Sequence, residues 1–115
     1  MTRVRRGLVQ CLQLANVAHL TTHTHAIVAL RWLGPAPRLV SASCEKVSSG
    51  YRNTVLLTDV RNRQTVVLRQ RGVEAAPLMG LKASPLGRHI LLLFRGAPSE
   101  VWAVLPTSRW VHSHC

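Results

Sequence analysis

Short apolar runs of about four to six residues, each followed by a turn signal, recur along the chain. No long stretch has the period of an amphipathic helix, and this rhythm is typical of an all-β fold. The predicted strands are Leu8–Leu12, Val17–Thr21, Ile27–Trp32, Arg38–Ser43, Thr54–Val60, Thr65–Arg69, Pro77–Ala83, His89–Phe94, Glu100–Val104 and Arg109–His112.

Clusters of Gly, Pro, Ser and Asn separate these runs. Pro and Gly do not easily continue the interior of a ladder, so each cluster is expected to end a strand. Successive strands then become antiparallel neighbours. The clusters are Gly34–Pro37, Ser48–Gly50, Arg61–Arg63, Ser84–Gly87 and Gly96–Pro98.

The strand pattern also repeats. Leu56–Val60 is matched by Glu100–Val104 about 44 residues later, and Ala29–Ser41 is matched by Gly80–Leu92. We expect the second offset to be larger because the Cys44–Asn53 connection is long. Four strands in roughly 40 to 45 residues is the period of a β-propeller blade.

The repeat divides the chain into three parts. Residues 1–22 supply the last two strands of one blade, residues 23–70 a complete blade, and residues 71–115 a second blade with a C-terminal tail. Propellers close with typically four to eight blades, so this is an incomplete arc. We expect a fragment of a longer protein; the alternative is a short product that pairs with another chain.

One blade opening has the spacing of a known repeat. In WD repeats a His begins the inner hairpin, apolar residues follow four and seven positions later, and an aromatic residue comes at nine. His23, Ile27, Leu30 and Trp32 fit that spacing, so the chain resembles the WD-repeat β-propeller family.

The third strand of a WD blade usually ends in Trp-Asp, and each blade here keeps half of that pair. Asp59 follows a Thr in one blade, and Trp102 precedes an Ala in the next, while the second blade lacks its opening His. The resemblance extends over Val17–Val104 and is carried by the order of three segments. These are His23–Trp32, Arg52–Val60 and His89–Trp102.

The resemblance implies antiparallel WD40-type blades and a non-catalytic scaffold that binds proteins. It makes His23, Trp32, Asp59 and Trp102 structural positions of the WD motif, with both tryptophans packed between blades. It further implies vesicle tethering at the trans-Golgi network, ciliary (Hedgehog) signalling, and a cytoplasmic location peripheral to Golgi membranes through partners. The long connections Cys44–Asn53 and Arg71–Ala76 are the expected contact elements, because binding residues concentrate on loops.

Charge keeps a second class open. Lysine and arginine total 15 against four acids, a net charge of +11, and a basic nucleic-acid-binding module is the alternative. The cations are scattered rather than gathered with aromatic residues, which favours a basic outer surface on a scaffold. The acid-free first 25 residues also leave open a mitochondrial targeting segment.

Candidate chemistry is sparse. His19, His23 and His25 have metal-like spacing, but nothing in the sequence fixes the remaining ligands of a zinc site. Asp59 has no partner carboxylate nearby, and Cys44 has no supporting catalytic order, so we expect no enzyme, no cofactor and no metal site. The three cysteines lack CxxC spacing, and no apolar run approaches the roughly 20 residues of a membrane span.

Overall fold

The computed structural model describes residues 22–34 and 37–104. Within these ranges the chain forms seven strands and no helix. The strands are β1 (Ile27–Leu33), β2 (Arg38–Val47), β3 (Gly50–Asp59), β4 (Gln64–Glu74), β5 (Leu78–Ala83), β6 (His89–Phe94) and β7 (Glu100–Ala103). The all-β prediction is confirmed. Three predicted strands, Leu8–Leu12, Val17–Thr21 and Arg109–His112, lie outside the described residues.

The strands form two antiparallel meanders. The first sheet has the order β1-β2-β3-β4 and the second has the order β5-β6-β7. Within each sheet every strand pairs with its neighbour in sequence, as predicted, whereas β4 and β5 belong to different sheets and do not pair. The described residues contain no closed ring, so they form a partial propeller.

Two connections are much shorter than predicted. β2 continues to Val47 and β3 begins at Gly50, so the expected long connection Cys44–Asn53 is a hairpin whose turn is Ser48 and Ser49. The polar side chains along this hairpin are typical of a loop in sequence, but an antiparallel sheet with one face open to water accommodates them. Gly50 is required there, because a Cβ would collide with the backbone carbonyl of Glu74.

The second correction concerns the end of the first sheet. β4 ends at Glu74, so most of the expected loop Arg71–Ala76 is strand. β4 extends this far because β3 begins at Gly50, so Val73 pairs with Arg52 and Glu74 pairs with Tyr51.

The core lies between the two sheets. The first sheet contributes one face, and the second sheet packs on β1 and β2 mainly through β5. Its fully or largely buried apolar residues are Ala29, Leu33, Val40, Ala42, Val55, Leu57, Leu78, Leu81, Ile90, Leu92 and Val104. The burial of these side chains is the main favourable contribution to holding the sheets together.

Candidate interaction site at the junction of the sheets

A buried arginine joins the two sheets. Arg69 on β4 is only 2% exposed, and its Nη1 and Nη2 donate hydrogen bonds to the carboxylate of Glu74, at 2.8 and 2.6 Å. Its Nε and Nη2 also donate to Glu100 on β7, at 2.8 and 3.1 Å. Because Glu74 belongs to the first sheet and Glu100 to the second, one guanidinium bridges them. Bidentate pairs between a guanidinium and a carboxylate are strong, and their two parallel hydrogen bonds also fix the relative orientation of the two groups.

The charges of this junction hold one another in the ionised state. Burial opposes the charge of Arg69, but hydrogen bonds and attraction from Glu74 and Glu100 outweigh it and raise the arginine pKa. Hydrogen bonding from Arg69 lowers the pKa of Glu74. Partial burial works against the ionised form of Glu100, yet bonds from Arg69 and Trp102 lower its pKa overall. Neither carboxylate is therefore poised to act as a proton donor near neutral pH.

Aromatic rings complete the junction. The guanidinium carbon of Arg69 lies 4.9 Å from the centre of the Phe94 ring, and that of Arg71 lies 5.6 Å from the Trp102 ring. Trp102 Nε1 donates to Glu100 Oε1 at 2.9 Å. Both distances between guanidinium and ring fall within the range of cation–π attraction. The two contacts help to fix the position of the second sheet against β4.

A buried asparagine ties the connection between the sheets to the first sheet. Asn53 on β3 is fully buried, and its Nδ2 donates to Glu74 Oε2 at 3.3 Å and to the Ala76 carbonyl at 3.0 Å. Its Oδ1 accepts the backbone N–H of Leu78 at 2.9 Å. The second blade lacks the opening His of a WD repeat, and Asn53 anchors this chain segment instead.

An open groove of about 300 Å³ lies beside the junction. Its floor is Arg69 with Glu74 and Glu100, and its walls are small or apolar residues. The wall residues are Ala75, Ala76, Phe94, Ala97, Pro98 and Ser99. The groove thus combines paired charges with small and apolar side chains that are open to solvent.

His23 and His25 contact different side chains, and His19 lies outside the described residues. His23 Nδ1 lies 2.9 Å from Ser43 Oγ, and Nε2 lies 2.7 Å from Ser41 Oγ, so its ring ties the segment before β1 to β2. Burial lowers the pKa of His23, which a bond with Ser41 opposes in part, and favours the neutral ring. His25 Nε2 instead lies 3.1 Å from Glu45 Oε1. Among residues 22–34 and 37–104, no three metal-ligating side chains converge.

The other predicted motif positions lie apart. Asp59 ends β3, and its Oδ1 accepts the backbone N–H of Arg61 at 3.0 Å in the β3–β4 turn. Trp102 packs against the core, but Trp32 is 63% exposed. Trp32 lies on the face of the first sheet that has no other sheet against it in the described ranges, so its packing between blades stays a prediction. The roles of these residues in a WD motif stay a prediction.

Sequence reasoning missed the junction. The sequence pattern places Arg69 and Glu100 at strand ends and Asn53 and Glu74 in connections, and it assigns none of them to a site. Arg69 directly follows an apolar run on β4, and all four of the chain's acids lie on strands or at their ends. The position of Arg69 after an apolar run and the small number of acids could have drawn attention to these residues. Neither feature shows which of them lie close together in the folded chain.

Similarity to known proteins was tested in three ways. The chain matches the family described as WDR11 second beta-propeller over residues 5–114, nearly its whole length. This agrees with the resemblance of the quoted segments to WD repeat-containing protein 11. No curated protein and no solved structure shows significant similarity. The described residues include no helix long and apolar enough to cross a membrane. Propellers with WD repeats are generally non-catalytic scaffolds for protein interactions, and this chain belongs to the family of the WDR11 second beta-propeller.

Proposed function

We propose that this chain forms part of a non-catalytic WD-repeat scaffold, and that the two sheets are neighbouring blades of its propeller. The observation that supports this most is the repeated register. The first strand of each sheet carries a ladder irregularity at the same place, between Ile27 and Ala29 in β1 and between Leu78 and Gly80 in β5. The second sheet then packs on one face of the first, as stacked repeats do.

The groove at the junction is the proposed protein-binding element. It lies between the edge strand β4 and the β6–β7 connection, and both are held in place by Arg69. The connection presents Ala97, Pro98 and Ser99, all exposed, on a frame that the charged floor keeps rigid. Contact residues are commonly found on loops positioned in this way.

The cellular role that we propose is vesicle tethering at the trans-Golgi network, together with ciliary (Hedgehog) signalling, in the cytoplasm and peripheral to Golgi membranes. The support for this finer statement is the resemblance to WD repeat-containing protein 11. Partners would be proteins that contact the propeller through its loops and rim.

Two matched substitutions test the groove. Ser99→Arg places a long cation in the groove wall, and Ser49→Arg places the same side chain in the exposed β2–β3 turn. Quantitative proximity labelling in cells should show tethering proteins of the trans-Golgi network near the unchanged chain. We expect Ser99→Arg to reduce their labelling about tenfold or more and Ser49→Arg to leave it unchanged. Equal labelling in both variants would remove the groove from the proposal.

The charge leaves nucleic-acid binding as the second candidate. Against it, the described structure pairs Arg52 with Glu45, and both Arg69 and Arg71 with Glu100. These three arginines are engaged in ion pairs, which lowers the positive charge that this part of the surface offers to phosphates. A polyanion column separates the candidates: retention that falls steeply as salt is raised would favour nucleic acid, and weak retention would favour the scaffold.

A further inference from the structure

One end of the two sheets collects turns from both. The β1–β2 and β3–β4 turns meet there, because the backbone N–H of Val60 donates to the Pro37 carbonyl at 3.0 Å. The β5–β6 turn joins them, since Gly87 packs so closely on the Gly34 carbonyl that a Cβ would not fit. Three turns, far apart in sequence, therefore form one continuous surface.

This surface carries four arginines and is named here the arginine end. Its members are Arg38, Arg61, Arg63 and Arg88. Arg61, Arg63 and Arg88 are exposed, and Arg38 is half-buried. The Nε of Arg38 is buried and has no hydrogen-bond partner in the described part of the chain.

The arginine end is short of negative charge. Its one described carboxylate, Asp59, lies 3.6 Å from Arg61 Nε. The described chain's other carboxylates, Glu45, Glu74 and Glu100, lie at or near the opposite end of the sheets, where arginines hold them. Within the described residues, neither Arg63 nor Arg88 has an ion-pair partner.

An apolar side chain projects among these cations. Leu86, at the tip of the β5–β6 turn, is 66% exposed. The turn that presents it is rigid: Ser84 Oγ accepts the N–H groups of Arg88 and His89 at 3.1 Å each, and the Gly87 N–H donates to the Ser84 carbonyl at 2.9 Å. Leu86 is thus held at the tip of a fixed turn, with the exposed Arg88 two residues away in the same turn.

We propose that the arginine end docks directly on a lipid bilayer rich in anionic headgroups. Guanidinium groups bind phosphates with matched geometry, and each basic residue near an anionic leaflet adds about 1 kcal/mol of attraction. Leu86 enters the boundary between headgroups and acyl chains, as apolar residues of peripheral proteins do. Leu86 favours a bilayer over a nucleic acid as the anionic partner, because an aliphatic side chain offers no surface for base stacking.

Vesicle flotation tests the proposal with the 115-residue chain. The probes are vesicles of phosphatidylcholine alone and vesicles that also contain phosphatidylserine. We expect binding to the second kind only. Arg63→Gln and Arg88→Gln should each weaken it about fivefold, the equivalent of about 1 kcal/mol for each arginine. Leu86→Ser should weaken it about tenfold through loss of apolar burial.

Matched controls come from other parts of the surface. Arg95→Gln removes the same charge from the exposed β6–β7 connection, and Val101→Ser removes an exposed apolar side chain from β7. We expect neither to change vesicle binding, and circular dichroism should show that all five variants keep the native strand signal. Equal weakening by Arg95→Gln and Arg88→Gln would reduce the effect to net charge and overturn the proposal. So would binding that survives Leu86→Ser and is displaced by duplex DNA or by an acidic peptide.

Discussion

The two sheets have the same pattern but different surroundings. Leu81 on β5 is 1% exposed, whereas Leu30, its counterpart on β1, is 47% exposed. The same holds for Leu78, at 1%, and Ile27, at 51%. The face of the second sheet that carries Leu78 and Leu81 packs on the first sheet, while the matching face of the first sheet has no sheet against it in the described ranges.

The difference shows that an apolar residue at a given position of the repeat is buried only when another sheet packs against its face. Each repeated unit is apolar on both faces, and only contact with the next unit buries a face. Trp32 and Leu30 therefore lie on the face against which a further sheet is expected.

The largest effect is expected from the matched pair of leucines. Leu81→Ala leaves a cavity between the sheets and should lower the free energy of unfolding by about 2 to 5 kcal/mol. Leu30→Ala removes the same atoms from an exposed face and should cost less than about 1 kcal/mol. Urea denaturation of both variants measures this, and equal losses would contradict the packing of β5 on the first sheet.

The next effect concerns the buried guanidinium. Arg69→Met leaves Glu74 and Glu100 without their shared partner and should cost about 2 kcal/mol, less than for a fully buried pair because water reaches both carboxylates. Arg71→Met removes a half-exposed arginine from the same strand and should cost under about 1 kcal/mol. If thermal melting ranks the two variants in the opposite order, Arg69 is not the bridge.

Acid should weaken the junction. The pKa values of Glu74 and Glu100 are lower in the folded chain than the ordinary value of 4.5, so the unfolded chain binds more protons between the two values. Their contribution is therefore complete above about pH 4.5 and is lost as the pH falls through the folded pKa values. Denaturation between pH 6 and pH 3 should show a smaller loss for Glu74→Gln/Glu100→Gln than for the unchanged chain, and parallel curves would contradict it.

The smallest effect is expected at His23. Its pKa in the folded chain lies below 6.5, so its contribution is present above about pH 6.5 and is lost as the pH falls through the folded value. His23→Gln should flatten the stability curve between pH 7 and pH 5, while His25→Gln, at an exposed ring, serves as the control. A slope that changes only in the His25 variant would reverse this assignment.

Strand order could be predicted from sequence because each run and each breaker act locally. The alternation in Arg38–Ser43 and the turn at Gly34–Pro37 each needed only a few neighbouring residues. The junction could not, because Arg69 and Glu100 are 31 residues apart and meet only after the sheets pack. The β2–β3 hairpin could not be predicted for a different reason. The residues next to its turn are polar, as in a loop, and the close approach of Gly50 to the Glu74 carbonyl exists only in the folded sheet.

The packing of the two sheets on each other as neighbouring units is tested most directly by a double-mutant cycle. Arg69→Met alters the first sheet, Glu100→Gln alters the second, and the cycle measures the coupling between them by urea denaturation. The structure predicts a coupling free energy of at least about 1 kcal/mol across the junction. Additive effects, with a coupling below about 0.3 kcal/mol, would show that the two sheets do not meet there.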